Sequence, residues 1–202
     1  ADQVQARGGT FLDAPVSGGE IGAVQGTLSI MVGGDAAGFE RARPVFACMG
    51  HPDRITHIGP MPGSGQLCKI CNQIAIAGAL AGVAEALGLA KKAGVDPWQV
   101  RQALLGGFAA SRVLEVHGER MLTGNYVPGF RAQLYQKDLR LAAEAAAAYG
   151  VAMPATALVS QFVNALMSAG RGDLDCAAVG TTFFDLSDVD LPITKPAPDE
   201  PR

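Results

Sequence analysis

The sequence predicts an α/β segment followed by an all-α domain with a long central helix, and three observations predict it. Strand and turn signals alternate through the first third of the chain. They vanish from Gly63 onward. The run that begins at Gly65 carries no charge after Lys69 until Glu85, which reads as one long apolar helix.

Within the first third, GTFLDAP, GTLSIMVGG and RITHIG read as strands, each bounded by glycine or proline. GDAAGFERARPVFACMG, between the last two, reads as a helix capped by Asp35. Helices are expected near 65–93, 97–105, 111–123, 134–149, 155–169 and 175–185. Gly94 closes the first of these, and Asp96 as cap with Pro97 at the first helical position opens the second. From Asp188 the segment DVDLPITKPAPDEPR is proline-rich and polar and is expected to fray. The resulting division is 1–62, 63–187 and 188–202, with no internal repeat.

At 202 residues, net charge −3 and 49% hydrophobic content, the chain can bury the core of one large domain or two small ones. Only 17% of residues are charged, and Ala and Gly are abundant, so closely packed helices and further burial against other copies are expected, as a homodimer or homotetramer. Basic runs are lacking, which argues against a nucleic-acid partner, because phosphate neutralisation needs clustered Lys and Arg. The helix from Gly65 has the length of a membrane span, but its Ala, Gly and Ile, with Lys, Asn and Gln near its start, suit a soluble core helix and no membrane partner. No signal peptide opens the chain, and a reducing cytoplasm fits Cys48, Cys68, Cys71 and Cys176. Cys68 and Cys71 have CxxC spacing, yet they lie in a helix-patterned run with no second Cys/His cluster, so no metal site is expected.

Lys69, Asn72 and Gln73 stand at i, i+3 and i+4 and share one helix face, one turn in from a glycine-rich start. An average lysine there snorkels to solvent. Here Leu67, Cys68, Ile70, Cys71 and Ile74 leave little polar surface nearby, and a buried ammonium is tolerated chiefly where a pocket uses it. Lys69 is therefore a candidate catalytic residue. Ser17, Gly18 and Gly19 follow a strand that begins near Thr10; they form either an ordinary tight turn or a row of unhindered N–H donors able to cradle a carboxylate. Of the histidines, His51 and His57 flank a predicted strand and His117 lies on a polar helix face, so a hydrolase triad is not expected.

Taken together these segments resemble the β-hydroxyacid dehydrogenase family, which includes the 3-hydroxyisobutyrate and 6-phosphogluconate dehydrogenases. DAPVSGG at 13–19 looks like the family's substrate-binding motif, GSGQLCKICNQ at 63–73 like its catalytic motif and KDLRLA at 137–142 like its cofactor-side motif. Within the family, GGFAAS at 106–111 and NYVPGFRAQLYQKDL are most similar to the tartronate semialdehyde reductases (2-hydroxy-3-oxopropionate reductases). There are departures. Gln73 stands where the family often has a second Asn, and GPMPGSG is one residue longer than the usual glycine run. The GxGxxG fingerprint of the family's Rossmann domain is nowhere in these residues. ADQVQARGGTFLDAP then looks like the end of that domain, entered midway, with about 100 residues expected upstream.

The resemblance implies a reductase that moves hydride from NAD or NADP to the aldehyde carbon of a small carboxylated substrate, giving a hydroxy acid. Lys69 would donate the proton or stabilise the developing alkoxide, desolvation lowering its pKa toward working pH. Asn72 and Gln73 would orient the oxygen or the ammonium. Ser17, Gly18 and Gly19 would hold the substrate carboxylate, with Phe130 closing the site, and Lys137 and Gly65 would lie on the cofactor side. Read without the resemblance, Lys137 and Asp138 open a solvated helix in which Asp138 favours the dipole's positive end. Two alternatives stand beside the reductase: a 3-hydroxyisobutyrate dehydrogenase, and a non-catalytic helical dimerisation fragment. The chain alone is expected neither to bind a dinucleotide tightly nor to turn over substrate, since the pyrophosphate-binding turn is not in it.

Overall fold

A computed structural model describes residues 1–192. The expected fraying tail lies mostly outside the described residues, which end at Pro192. The chain divides into two compact units, 1–73 and 74–202, and α4 (Ser64–Lys92) begins in the first and continues in the second.

In the first unit the order is α1 (Asp2–Gln5), β1 (Leu12–Asp13), β2 (Val16–Ser17), α2 (Gly19–Gln25), β3 (Leu28–Gly34), α3 (Ala36–Phe46), β4 (Gly50–Gly59) and the start of α4. β3 is central. β4 pairs with it in parallel, while β1 and β2 pair antiparallel with its two ends, Leu12 opposite Gly34 and Ser17 opposite Ser29. The period-two pattern of β3 explains its place: Leu28, Ile30 and Val32 are buried together with Phe39, Phe46 and Ile55. α3 makes the crossover that a parallel pair requires, and Asp35 caps it by accepting from the Gly38 N–H at 2.7 Å.

α2 is absent from the sequence reading. GEIGAVQ spans two turns and carries two glycines, too short for a 3.6-residue period to register. Tertiary contact forms it: Gly22 is buried, and a Cβ there would stand 3.1 Å from the Leu28 side chain.

The second unit continues α4 and adds α5 (Pro97–Leu105), α6 (Arg112–Thr123), α7 (Ala132–Tyr149), α8 (Pro154–Ser168), a 3₁₀ turn (Cys176–Ala178) and α9 (Val179–Ser187). The expected Asp96 cap is in place, its side chain accepting from the Trp98 N–H at 2.9 Å; α6 is capped by Ser111, which accepts from the Leu114 N–H at 3.0 Å. Ala77, Leu80, Ala84 and Leu87 of α4 are fully buried in a core shared with α6, α7, α8 and α9. α4 is long and apolar enough to cross a bilayer, but 44% of its apolar window is buried inside the molecule. It packs as a core helix.

Candidate active site

In the first unit the strand that leads to Ser17 is tied directly to the start of α4. Asp13, at the end of β1, is buried, and its carboxylate accepts from two backbone N–H groups of the α4 entrance: Oδ1 from Gly63 at 2.6 Å and Oδ2 from Gln66 at 2.7 Å. α4 thus receives a carboxylate cap from a residue some fifty positions earlier, satisfying donors that a helix start leaves without intrahelical partners. The approach is close enough to demand glycine on both sides. A Cβ on Gly65 would overlap the Met31 carbonyl oxygen and stand 2.9 Å from Asp13 Oδ2, and one on Gly33 would stand 2.6 Å from Gly65 N.

Lys69, Asn72 and Gln73 lie one to two turns along from this anchor. Gln73 is buried, at 3% exposure, and its Oε1 accepts from Asn72 Nδ2 at 2.8 Å, so the two amides are coupled and hold one orientation. Lys69 is half-buried, so the shielding expected from its neighbours is partial: Leu67 is 41% exposed and Cys71 is exposed as well. Ser17 is half-buried in β2, opposite Ser29. Gly18 and Gly19 are exposed and take φ of 136° and 62°, which a side chain rarely adopts, and the chain turns there straight into α2 instead of an open loop.

Phe130 and Lys137 belong to the second unit. The Phe130 ring is half-buried against the helical core, with its centroid 6.3 Å from that of Tyr135 in an edge-on arrangement. Lys137 is exposed, with Nζ 2.8 Å from Asp138 Oδ1, beside an open groove of about 530 Å³ lined by Gln136, Arg140, Ser160 and Asn164. Lys137 is solvated as expected, but it and Asp138 do not open the helix. α7 begins at Ala132, so Asp138 stands in its second turn, beyond the reach of the dipole's end.

One cluster escaped the sequence reading. Asp175, 1% exposed, accepts from the N–H groups of Gly129 (3.0 Å), Phe130 (3.1 Å) and Ala177 (3.0 Å). His117 Nδ1 lies 3.4 Å from its Oδ1 and the Arg120 guanidinium 3.6 Å from its Oδ2. Burial alone pushes this carboxyl up, but His117, the Ala177 and Phe130 N–H groups and Arg120 outweigh it and hold the pKa down at about 2. His117, expected on a polar helix face, is half-buried there, and helix α6 turns it toward a carboxylate that follows 58 positions later. The ligand atoms of His117, Asp175 and Cys176 lie within 4.8 Å of one another. The chemistry there does not suit a cation or a nucleophile. Asp175 already serves three N–H donors beside an arginine, and burial, then the Asp175 charge, push the Cys176 thiol up.

A family model described as the NAD-binding part of NADP-dependent 3-hydroxyisobutyrate dehydrogenase matches residues 63–182, and one described as the NAD binding domain of 6-phosphogluconate dehydrogenase matches residues 1–59. The 2-hydroxy-3-oxopropionate reductase of Escherichia coli (strain K12) is 53% identical over 89% of this chain and 60% of its own. Among solved structures, a 3-hydroxyisobutyrate dehydrogenase from Salmonella typhimurium superposes with a TM-score of 0.80 at 30% identity, over 90% of this chain and 63% of that one. The Mycobacterium tuberculosis 3-hydroxyisobutyrate dehydrogenase with L-serine gives 0.75 at 34%, over 85% and 60%. The chain thus spans about three fifths of the length of these relatives.

Proposed function

The chain belongs to the β-hydroxyacid dehydrogenase family, and from that premise we propose that it is the catalytic and helical part of an NAD(P)-dependent reductase converting tartronate semialdehyde (2-hydroxy-3-oxopropionate) to glycerate. The observation that carries the reading is the Asp13 anchor: one buried carboxylate holds the entrance of α4, a turn before Lys69, on the strand that runs on to Ser17. Groups so fixed can bind and react with a single small molecule, and position precedes chemistry.

The nicotinamide cofactor supplies the hydride when bound. The residues present fit it in part. The exposed Lys137 ammonium beside the α7–α8 groove is a donor suited to its anionic or amide groups. The α4 entrance is not suited to its phosphates, because the Gly63 and Gln66 N–H groups are held by Asp13, and Gly65 is required for packing against Met31 and Asp13. A direct cofactor contact at Gly65 thus belongs to the proposal through the family resemblance alone.

In the proposed mechanism Ser17, Gly18 and Gly19 hold the substrate carboxylate, and Phe130 is a substrate-binding residue through the family resemblance. Lys69 donates its proton to the carbonyl oxygen as negative charge gathers there. The Asn72–Gln73 pair, already locked by its own hydrogen bond, orients the reacting oxygen or the Lys69 ammonium. The chain also pairs with further copies of itself in this reading, as a homodimer or homotetramer, supported by exposed Leu89 (71%), Leu158 (58%) and Leu186 (73%); a clean monomer in sedimentation at micromolar concentration overturns that part. A reducing cytoplasm is consistent with its four free thiols.

The test is steady-state kinetics of the full-length enzyme with tartronate semialdehyde and with the oxidised form of 3-hydroxyisobutyrate, each with NADH and NADPH. A kcat/KM at least about tenfold higher for tartronate semialdehyde is expected. The reverse preference favours the second reading, a 3-hydroxyisobutyrate dehydrogenase, which the likeness to the Salmonella structure supports. No turnover of either leaves a non-catalytic helical dimerisation fragment.

A further inference from the structure

We infer that Asp175 is a positioning residue for the substrate side of the helical domain, its buried carboxylate fixing the backbone at Gly129 and Phe130 and thereby the place of the Phe130 ring. The inference rests on the reading above that Phe130 is a substrate-binding residue.

Phe130 is held from both sides by the same short segment. Its N–H donates to Asp175 Oδ2 at 3.1 Å, and its carbonyl accepts from the Cys176 N–H at 2.8 Å. The Gly129 N–H shares Oδ2 at 3.0 Å, and the Asp175 N–H donates to the Tyr126 carbonyl at 2.9 Å. The start of α7, immediately after Phe130, has no side-chain cap; its Ala132 and Gln133 N–H groups donate instead to the carbonyls of Leu174 (2.8 Å) and Gly172 (3.0 Å). Segment 172–177 is therefore the cradle in which the Phe130 loop lies.

The charge is what a purely structural contact would not need. Hydrogen bonds to an ionised acceptor are about twice as strong as neutral ones, and three N–H groups converge on this carboxylate. Its compensation also comes from the loop's other support: Arg120, 3.6 Å from Oδ2, donates to the Val127 carbonyl at 2.5 Å and to that of Asn125 at 3.4 Å. A buried ion pair is a poor source of stability compared with apolar packing, and its best-attested use is to specify one arrangement. Here that arrangement is the loop 125–130.

The experiment is a double-mutant cycle in the full-length enzyme: Asp175→Asn, Phe130→Ala and the pair, with kcat and KM measured for the carboxylated substrate and folding followed by circular dichroism. In the Phe130 background Asp175→Asn is expected to lower kcat/KM about tenfold or more, chiefly through KM. With Phe130→Ala already present, the further loss should be less than about threefold. Equal losses in both backgrounds, or no loss in a folded Asp175→Asn protein, overturn the inference. If Asp175→Asn does not fold, Arg120→Gln runs the same cycle: coupling to Phe130 supports the role and additivity overturns it. Wild-type enzyme that turns over no hydroxy acid or its aldehyde removes the functional reading and this inference together, whereas turnover with independent mutations removes the inference alone.

Discussion

Asp13 Oδ2 stands 2.7 Å from the Gln66 N–H, and through that bond the strand four residues before Ser17 holds the helix turn three residues before Lys69. Asp13→Ala strips the carboxylate from both Gly63 and Gln66 and leaves two part-buried donors unsatisfied. A stability loss of about 2–4 kcal/mol is expected in urea unfolding. On the role proposed for Lys69, turnover of the full-length enzyme should fall roughly tenfold or more, because the helix turn that carries Lys69 is then displaced. Unchanged turnover in a destabilised variant would separate the anchor from the chemistry.

Gly65 should tolerate no side chain. Gly65→Ala forces a methyl against the Met31 carbonyl and the Asp13 carboxylate, and about 1–3 kcal/mol of destabilisation follows. Gly106→Ala is the control: its φ is −85° and a Cβ would meet nothing closer than 3.5 Å, so stability is expected to hold or rise by up to about 1 kcal/mol. Equal melting shifts for the two variants would contradict the close approach at Gly65.

Lys69→Ala and Lys69→Met should each lower kcat of the full-length enzyme by roughly 10²-fold or more, the range for losing a positioned acid. The structure changes the expectation for stability. A fully buried ammonium would make the methionine variant more stable, but Lys69 is half-buried, so a shift within about 1 kcal/mol is expected. Wild-type turnover in either variant ends the catalytic role.

Asp175 makes stability depend on pH in a defined window. Its folded pKa, about 2, lies below the usual carboxylate value of about 3.9, so the unfolded chain binds the proton more readily. The stabilisation, about 2 kcal/mol, is fully present above about pH 5 and is lost as pH falls through 2. The stability gap between wild type and Asp175→Asn should therefore shrink as pH falls from about 4 to 2 in denaturant titrations. A gap independent of pH would show that the carboxylate is not charged in the folded state.

Calorimetric titration of the 202-residue chain with NADH and NADPH should show no binding at micromolar affinity. It carries no GxGxxG turn, and Asp13 already holds the Gly63 and Gln66 N–H groups at the α4 entrance. Micromolar binding would mean that residues 1–62 supply a phosphate site of another kind.

Much of the fold was legible because its signals are local. Asp96 and Pro97 mark the start of α5 where the structure has it, and the alternation in GTLSIMVGG marks the buried face of β3. Lys69, Asn72 and Gln73 share a face by helical spacing alone. The reading failed where local signals are weak or misleading: GEIGAVQ is too short to show a period, and α7 starts at Ala132 because its first N–H groups find carbonyls at Leu174 and Gly172, not because a capping side chain precedes it.

The sequence by itself determined the strand-then-helix order, the capped start of α5 and the spacing of the candidate catalytic residues, since periodicity, capping and glycine act over one or two turns of chain. Only the tertiary structure decided what anchors them. Asp13 reaches Gly63 and Gln66 across 50 and 53 residues, and Asp175 reaches Gly129 and Phe130 across 46 and 45. A carboxylate announces its charge in the sequence but not which backbone N–H groups the fold will bring to it, because those partners are chosen by the packing of whole elements.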